Sequence, residues 1–534
     1  MKEMHSDTGV SILEMRDIWK VYPNGVIANA NVDIQVRKGE IHALLGENGA
    51  GKTTLMKILF GFEHPSSGKI LYDGKEVAIA SPHKAIAMGI GMVHQHFMLV
   101  PSLTVAENVL LGMEPKKGLS VDMAKAFEIV RQAGNQYGLS VPVEKKIEDI
   151  SVGMRQRVEI IKTLVRGANL IILDEPTAVL TPQETVELFK ALRILVDRGK
   201  TVIFITHKLN EVKQIADRIT VLRKGHVVGT AEVKDMTQVE MSRMMVGRDV
   251  EMVIEKKPAV VGPELLCVKK LHYVREDKVA VLNGVSFSVR AGEILGIAGV
   301  EGNGQTELVQ IITGLLSPSK GDIAVNEKVM RRLNPKTARK SGMSHIPSDR
   351  MVRGVALEST VEENVISDRY FKKPFSAYGI QSPRKITRFT KGLIDQFDIR
   401  VDSSKRSVKM LSGGNIQKVV VAREFTAGAK IIIADQPTRG MDVGASDFIR
   451  RQLVEERDQG VGVLLISADL TELLEVSDRI LVLYRGEVVA HFDEVEGLTE
   501  ETLGEYMLGI KRMSEDDLKG YSQETATDKE GMER

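Results

Sequence analysis

Gly46-Glu-Asn-Gly49-Ala-Gly51-Lys52-Thr53 stands between the apolar run Ile41-His-Ala-Leu-Leu45 and the helical-period stretch Leu55-Met-Lys-Ile-Leu59. A short buried strand, a glycine turn and a helix in immediate succession mark an α/β unit. The same spacing returns as Gly299-Val-Glu-Gly302-Asn-Gly304-Gln305-Thr306, with glutamine where the first copy has lysine.

The repeat extends well beyond these loops. Lys52 and Gln305 differ by 253, as do Gly39-Glu40 and Gly292-Glu293. Further on, Ser151 and Ser412, Asp174 and Asp435, and His207 and Ala468 each differ by 261. A constant offset over several landmarks indicates a duplicated domain in the usual size range. The expected division is a first domain over 12–250, a linker over 251–262, a second domain over 263–510 and a disordered tail over 511–534. Pro258, Gly262 and Pro263 argue against a regular element at the junction. The polar, aperiodic end lacks the apolar residues a core needs. Leu170-Ile-Ile-Leu173 and Val202-Ile-Phe-Ile205 read as strands with helical stretches nearby, so each half is expected to hold a mainly parallel sheet flanked by helices.

The first loop fits G-x-x-x-x-G-K-[ST] in its strand–loop–helix context. Its glycines let backbone N–H groups converge on phosphate oxygens, helped by the helix N-terminus. Lys52 is placed to reach the β- and γ-phosphates, and the Thr53 hydroxyl to ligate Mg²⁺. Asp174 and Glu175 end an apolar strand, where Asp174 would hold the Mg²⁺ shell and Glu175 would polarise the attacking water. His207 follows another strand and is a candidate contact for the γ-phosphate. Trp19 reads as packing. A metal site at His94 and His96 lacks further ligands in the sequence.

Lys+Arg is 73 and Asp+Glu is 72, a balance that gives no support to broad binding of nucleic acid or anionic lipid, though it leaves room for a local basic patch. The single cysteine, Cys267, excludes an intrachain disulfide, suits a reducing compartment and reads as a core residue. The first residues carry no apolar signal stretch, and no apolar run reaches membrane-spanning length.

From about residue 12 to 510 the chain resembles the ATP-binding cassette (ABC) ATPases. The resemblance rests on the phosphate loop, Gln95 after Ile90-Gly-Met-Val-His, the signature segment Ser151-Val-Gly153-Met, the Asp174–Glu175 pair and His207. It implies tandem P-loop NTPase domains, each with a mainly parallel sheet core, an antiparallel β subdomain and a helical signature subdomain. It implies ATP contacts from Tyr22 to adenine and from Gly46, Glu47, Asn48, Gly49, Ala50, Gly51, Lys52, Thr53 and Thr54 to phosphate. Catalytic roles fall to Glu175, His207, Gln95 and Lys52, and Mg²⁺ contacts to Thr53, Gln95 and Asp174. Gln95 would also link the nucleotide to the helical subdomain.

The second half is altered at the matching positions. Lys52 becomes Gln305, Glu175 becomes Gln436, His207 becomes Ala468, and Gln95 falls near Ser348. Yet Leu411-Ser412-Gly413-Gly414-Asn415 is closer to the family's LSGGQ signature than Ile150-Ser151-Val152-Gly153-Met154. Cassettes of this family pair head to tail, loop against signature. The intact loop would thus meet Ser412, Gly413, Gly414 and Asn415, and the altered parts would share the other site.

The resemblance is to importer ATPases with two fused cassettes, which implies two transmembrane permease subunits and an extracytoplasmic substrate-binding protein as partners. It places the chain on the cytoplasmic face of the membrane, with membrane contact through the permease alone and no nucleic acid. His94-Gln-His-Phe-Met-Leu-Val-Pro-Ser-Leu-Thr-Val-Ala-Glu-Asn108, with Ser151-Val-Gly-Met-Arg, looks more like the nucleoside importers than the ribose or galactose ones. Arg155 stands where glutamine is expected, on the weaker signature. A twin-cassette protein acting on ribosomes would carry a long charged linker and a second catalytic glutamate, and one acting on DNA would carry zinc-binding cysteines; this chain has neither.

Overall fold

A computed structural model describes residues 10–518, apart from Asn24, Asn48, Gln95, His96, Leu119, Ala178, Val179, 248–253, Glu255, Glu301, Asp442 and Glu515. The chain divides into two compact units, with the boundary between Met252 and Val253.

The central sheet of unit 1 runs His226–Glu232, Arg218–Arg223, Ile41–Leu45, Thr201–Thr206, Leu170–Asp174, Ile90–Val93. All neighbours are parallel except the antiparallel edge pair Arg218–Arg223 and His226–Glu232. Every residue of Ile41–Leu45, Leu170–Asp174 and Thr201–Thr206 is buried. Continuous apolar runs of this kind suit strands covered on both faces. The one polar side chain inside Ile41–Leu45, His42, is satisfied by Glu40 Oε1 at 3.0 Å and Thr220 Oγ1 at 2.8 Å. A second, antiparallel sheet holds Ile27–Arg37, Ser11–Val21, Ser67–Tyr72 and Lys75–Val77. The helices Val105–Leu110, Met123–Gln136 and Val152–Val165 form the helical part.

Unit 2 repeats this topology. Its central sheet runs Glu487–Phe492, Arg479–Tyr484, Ile294–Ala298, Gly462–Ile466, Ile431–Asp435, Met343–Ile346, and a second sheet holds Ala280–Arg290, Glu264–Val274, Lys320–Val325 and Lys328–Val329. Its helical part contains Val361–Ile366, Pro383–Gln396 and Gly413–Phe425. Cys267 is buried in the strand Glu264–Val274.

Part of the junction belongs to unit 2. Arg457 donates to the Lys257 carbonyl at 2.9 Å, Gly262 N–H donates to Ala291 O at 2.8 Å, and Lys256 pairs with Asp478 at 3.2 Å. The first residues of the stretch read as a disordered tail are also held. Met513 N–H donates to Val489 O at 3.0 Å, and Arg512 pairs with Glu487 at 2.7 Å. Met513 also packs on the apolar core of unit 2, which supplies the apolar anchor that a count of polar residues overlooks. Residues 519–534 of that tail lie outside the described residues.

Candidate functional site

The parallel register gathers three chain segments at one end of the unit 1 sheet. Thr206 pairs with Leu45, and Ile205 with Asp174. The glycine loop, Asp174–Glu175 and His207 therefore leave adjacent strands at the same edge, the usual place for ligands in open α/β sheets.

The loop opens the helix Lys52–Leu59 from Gly51, whose φ is 100°. A Cβ on Gly51 would lie 2.3 Å from Ala28 O and 2.6 Å from Asn29 Nδ2, so both the backbone angle and the space demand glycine. Lys52 is buried, and its Nζ donates to Gly46 O at 2.6 Å and Glu47 O at 2.9 Å. Burial holds its pKa below the ordinary lysine value, against the pull of Glu175 and Asp174. Thr53 is exposed at the helix start.

Asp174 is buried at the strand end. Burial and the neighbouring Glu175 charge push its pKa up to about 6, while Lys52, Lys57 and a hydrogen bond with Thr53 oppose the shift. Glu175 adopts a left-handed φ of 48°, uncommon for a residue with a side chain. Its Oε1 lies 2.9 Å from His207 Nδ1. Burial acts to raise the Glu175 pKa, but this hydrogen bond and the charges of His207, Lys52 and Lys208 hold it below the usual carboxylate value. One hydroxyl and two carboxylates beside an ammonium form a hard-oxygen, charge-bearing edge that fits Mg²⁺ carried on phosphate oxygens. Among the described residues, no group of three or more His, Cys, Asp and Glu side chains makes a protein-only metal cage.

Tyr22 sits half-buried at a turn, its carbonyl accepting from Gly25 N–H at 2.9 Å, with Lys20 Nζ 5.2 Å from its ring. Trp19 donates to Asp17 Oδ1 at 3.1 Å. His94 packs edge-on to Phe60 and tilted against Phe62. Gln95, Asn48 and His96 lie outside the described residues.

In unit 2 the edge is built the same way, with Asp435 and Ile297 both opposite Ile466. Gly304 repeats the left-handed start at φ 102°. Gln305 is buried and donates from Nε2 to Val300 O at 3.2 Å, the counterpart of the Lys52 bond to Glu47 O. The amide thus reproduces one loop-bracing bond of the lysine and discards its charge. Gln436 keeps the left-handed backbone at φ 52°, and its Oε1 accepts from Ala468 N–H at 3.1 Å. Burial raises the pKa of Asp435, opposed by hydrogen bonds from Ser348. Where unit 1 has Tyr22 and Thr54, unit 2 has Arg275 and Glu307, which form an ion pair at 3.3 Å. Neither the bracing bond nor this ion pair was anticipated from the sequence.

The two signature segments also differ electrostatically. Ser151 and Ser412 each cap a helix, accepting from Met154 N–H at 3.3 Å and Asn415 N–H at 3.4 Å. Asn415 Nδ2 donates to Ser412 Oγ at 2.8 Å. In unit 1 the Glu184 carboxylate lies against Gly153, where an added Cβ would collide with it. In unit 2 the position matching Gly153 is Gly414, and it is the preceding residue, Gly413, whose added Cβ would lie 2.7 Å from Nη2 of Arg350. Arg350 is fixed by donating from Nη1 to Arg439 O at 2.7 Å. Gly414 has open space around it. A carboxylate thus lies near the start of the first signature helix and a guanidinium near the start of the second. Sequence reading missed Arg350 because it lies more than sixty positions before Ser412.

Comparison with known proteins bears on the whole chain. The ABC transporter family profile matches residues 29–178 and 282–439. The chain is similar to the guanosine import ATP-binding protein NupO of Bacillus subtilis, at 47% identity over 498 residues, which cover 93% of this chain and 97% of that protein. It is 45% identical to the nucleoside import ATP-binding protein NupA of Lactococcus lactis subsp. cremoris, over 93% of this chain and 98% of the other. It is 40% identical to the glucose import ATP-binding protein TsgD13 of Haloferax volcanii, over 93% and 96%.

Proposed function

From the premise that this chain belongs to the ABC transporter family, we propose that it is the ATP-hydrolysing subunit of a nucleoside importer. The observation that carries the ATPase assignment is the unit 1 edge, where Lys52, Thr53, Asp174, Glu175 and His207 converge. The nucleoside assignment is supported by the higher identity to guanosine and nucleoside import proteins than to the glucose import protein.

In this reading Lys52 exchanges its loop carbonyls for the β- and γ-phosphates, and the Gly49–Thr54 backbone cradles them. Mg²⁺, when bound, offsets phosphate charge. Thr53 and Asp174 would hold it, joined by Gln95. Glu175 orients and deprotonates the attacking water, steered by His207. Tyr22 stacks on adenine. The competent site is composite, with Ser412, Gly413, Gly414 and Asn415 facing the γ-phosphate and Arg350 adding positive charge. The companion site combines Gln305, Gln436 and Ala468 with the carboxylate-backed Ser151 segment, and it binds nucleotide without fast hydrolysis. Closure of the paired cassettes drives two permease subunits, which receive substrate from an extracytoplasmic binding protein. The chain works on the cytoplasmic face of the membrane. No helix among its described residues is long and apolar enough to cross one.

The raised pKa of Asp174 sets a pH limit. Its folded value of about 6 lies above the ordinary aspartate value, so the carboxyl's favourable contribution to stability belongs to its protonated form and is lost as pH rises through about 6. Metal binding needs the ionised form. ATPase activity is therefore expected to fall as pH drops through about 6, and raising Mg²⁺ should move that fall to lower pH. A decline whose midpoint ignores Mg²⁺ would exclude Asp174 as the titrating ligand.

The substrate is tested by screening the associated binding protein against nucleosides and pentoses and hexoses, followed by uptake into vesicles bearing the assembled importer. Nucleoside binding and ATP-dependent nucleoside uptake are expected. Sugar binding with no nucleoside binding would replace the substrate while leaving the ATPase reading intact.

A further inference from the structure

The whole-chain charge balance conceals one strongly biased segment. Residues 370–391 contain Lys372, Lys373, Arg384, Lys385, Arg388 and Lys391 and no Asp or Glu, a formal charge of +6. The structurally matching stretch of unit 1, residues 110–131, carries Lys116, Lys117, Lys125 and Arg131 against Glu114, Asp122 and Glu128, a formal charge of 4 − 3 = +1. The bias is therefore a property of unit 2.

The fold leaves this charge in solvent. All six cations are exposed, and none makes an ion pair among the described residues. Asp368, just before the segment, is engaged by Arg339 and Arg369. The first acidic residue after it is Asp395, in the last turn of the helix Pro383–Gln396. On that helix Arg384, Arg388 and Lys391 recur at i, i+4 and i+7, while Ile386, Thr390 and Leu393 point into the unit and are buried.

Exposed apolar groups lie in the same segment of chain, on and just before the hairpin that leads into this helix. The hairpin Ser376–Ala377/Ile380–Gln381 carries Tyr378 and Gly379 at its tip. Tyr378 is fully exposed, Ile380 is three-quarters exposed, and Phe371 and Tyr370 are 62% and 48% exposed. Tyr378 also holds a left-handed φ of 53°, unusual for a bulky side chain. The matching unit 1 positions are Gly118 for Tyr378 and Ser120 for Ile380. Solvent alone gives no reason to hold tyrosine, isoleucine and phenylalanine in water.

We propose that this face of unit 2 binds directly to an anionic phospholipid surface, with Arg384, Arg388 and Lys391 meeting headgroups and Phe371, Tyr378 and Ile380 entering the interfacial zone. Exposed aromatics beside uncompensated Lys and Arg are the composition that bilayer interfaces select. Charge complementarity chooses a lipid surface over a second copy of this near-neutral chain. The contact adds to the permease-mediated attachment and stands independently of the transported substrate.

The test is co-sedimentation of the purified full chain with vesicles, without permease. Vesicles of equimolar phosphatidylcholine and phosphatidylglycerol should capture the protein, and pure phosphatidylcholine vesicles should not. High salt should release it. Each basic residue near an anionic surface is worth about fivefold, so the triple variant Arg384→Gln/Arg388→Gln/Lys391→Gln should bind about a hundredfold more weakly. Phe371→Ser/Tyr378→Ser, which keeps the charge, should lose the salt-resistant part of the binding. Both variants alter exposed side chains, and unchanged melting temperature and basal ATPase activity show that they fold. Failure to bind phosphatidylglycerol vesicles, undiminished binding by the triple variant, or capture of polyuridylate in place of vesicles would overturn the proposal. None of these outcomes touches the ATPase assignment.

Discussion

Glu175→Gln is expected to lower ATPase turnover of the assembled importer by about 10²–10⁴-fold, the usual weight of a positioned general base. The substitution preserves shape. Unit 2 already displays a glutamine at the same strand end, on the same left-handed backbone, accepting a hydrogen bond at 3.1 Å. Loss of activity would therefore report loss of the carboxylate, which in the native chain lies 2.9 Å from His207 Nδ1. ATP binding should survive, so the variant should trap the nucleotide-bound state. The reciprocal Gln436→Glu should not raise turnover, because unit 2 still lacks a lysine at 305 and a histidine at 468. Robust turnover in Glu175→Gln would mean that the second site fires or that another base serves the first.

Lys52→Gln should remove most nucleotide binding and lower turnover by about 10²–10³-fold, the size typical of deleting one preorganised electrostatic partner. Gln305 shows that an amide at this position can still reach a loop carbonyl, at 3.2 Å from Val300 O. The loop should thus keep its shape while losing its charge, which separates electrostatics from folding. Fluorescent-nucleotide titration and phosphate release measure the two losses. Gln305→Lys makes the contrast, since its partners Gln436 and Ala468 remain and little activity should be gained. Wild-type behaviour of Lys52→Gln would remove the lysine from the proposed chemistry.

The duplicated architecture was legible because buried parallel strands write themselves as unbroken apolar runs, such as Leu170–Leu173, and because the two copies keep a constant offset. The convergence of Lys52, Asp174, Glu175 and His207 was legible for the same reason: each follows a recognisable strand, and parallel register does the gathering. Contacts between segments distant in sequence left no periodic trace. Arg350 beside Gly413, Glu184 beside Gly153, and the Arg275–Glu307 pair are of this kind. The basic segment 370–391 did leave a trace, but an average over 534 residues cancels it, and only a local sum of charge exposes it. The tail misjudged at Arg512 and Met513 shows the opposite error, in which local polarity hides a single apolar anchor.

The bent backbone at Glu175 and Gln436 carries a further meaning. A left-handed turn at a residue with a side chain costs about 1–3 kcal/mol, and the chain bears that cost in both units. In unit 1 it aims the carboxylate proposed as the base. In unit 2 no base remains, yet the turn persists within a few degrees, 52° against 48°. Its retained purpose there is geometric, fixing the direction in which the polypeptide leaves the sheet. On the proposed reading the molecule resembles a pair of matched levers of which one alone is fuelled: the unfuelled lever keeps its hinge because the stroke, unlike the combustion, has to be shared.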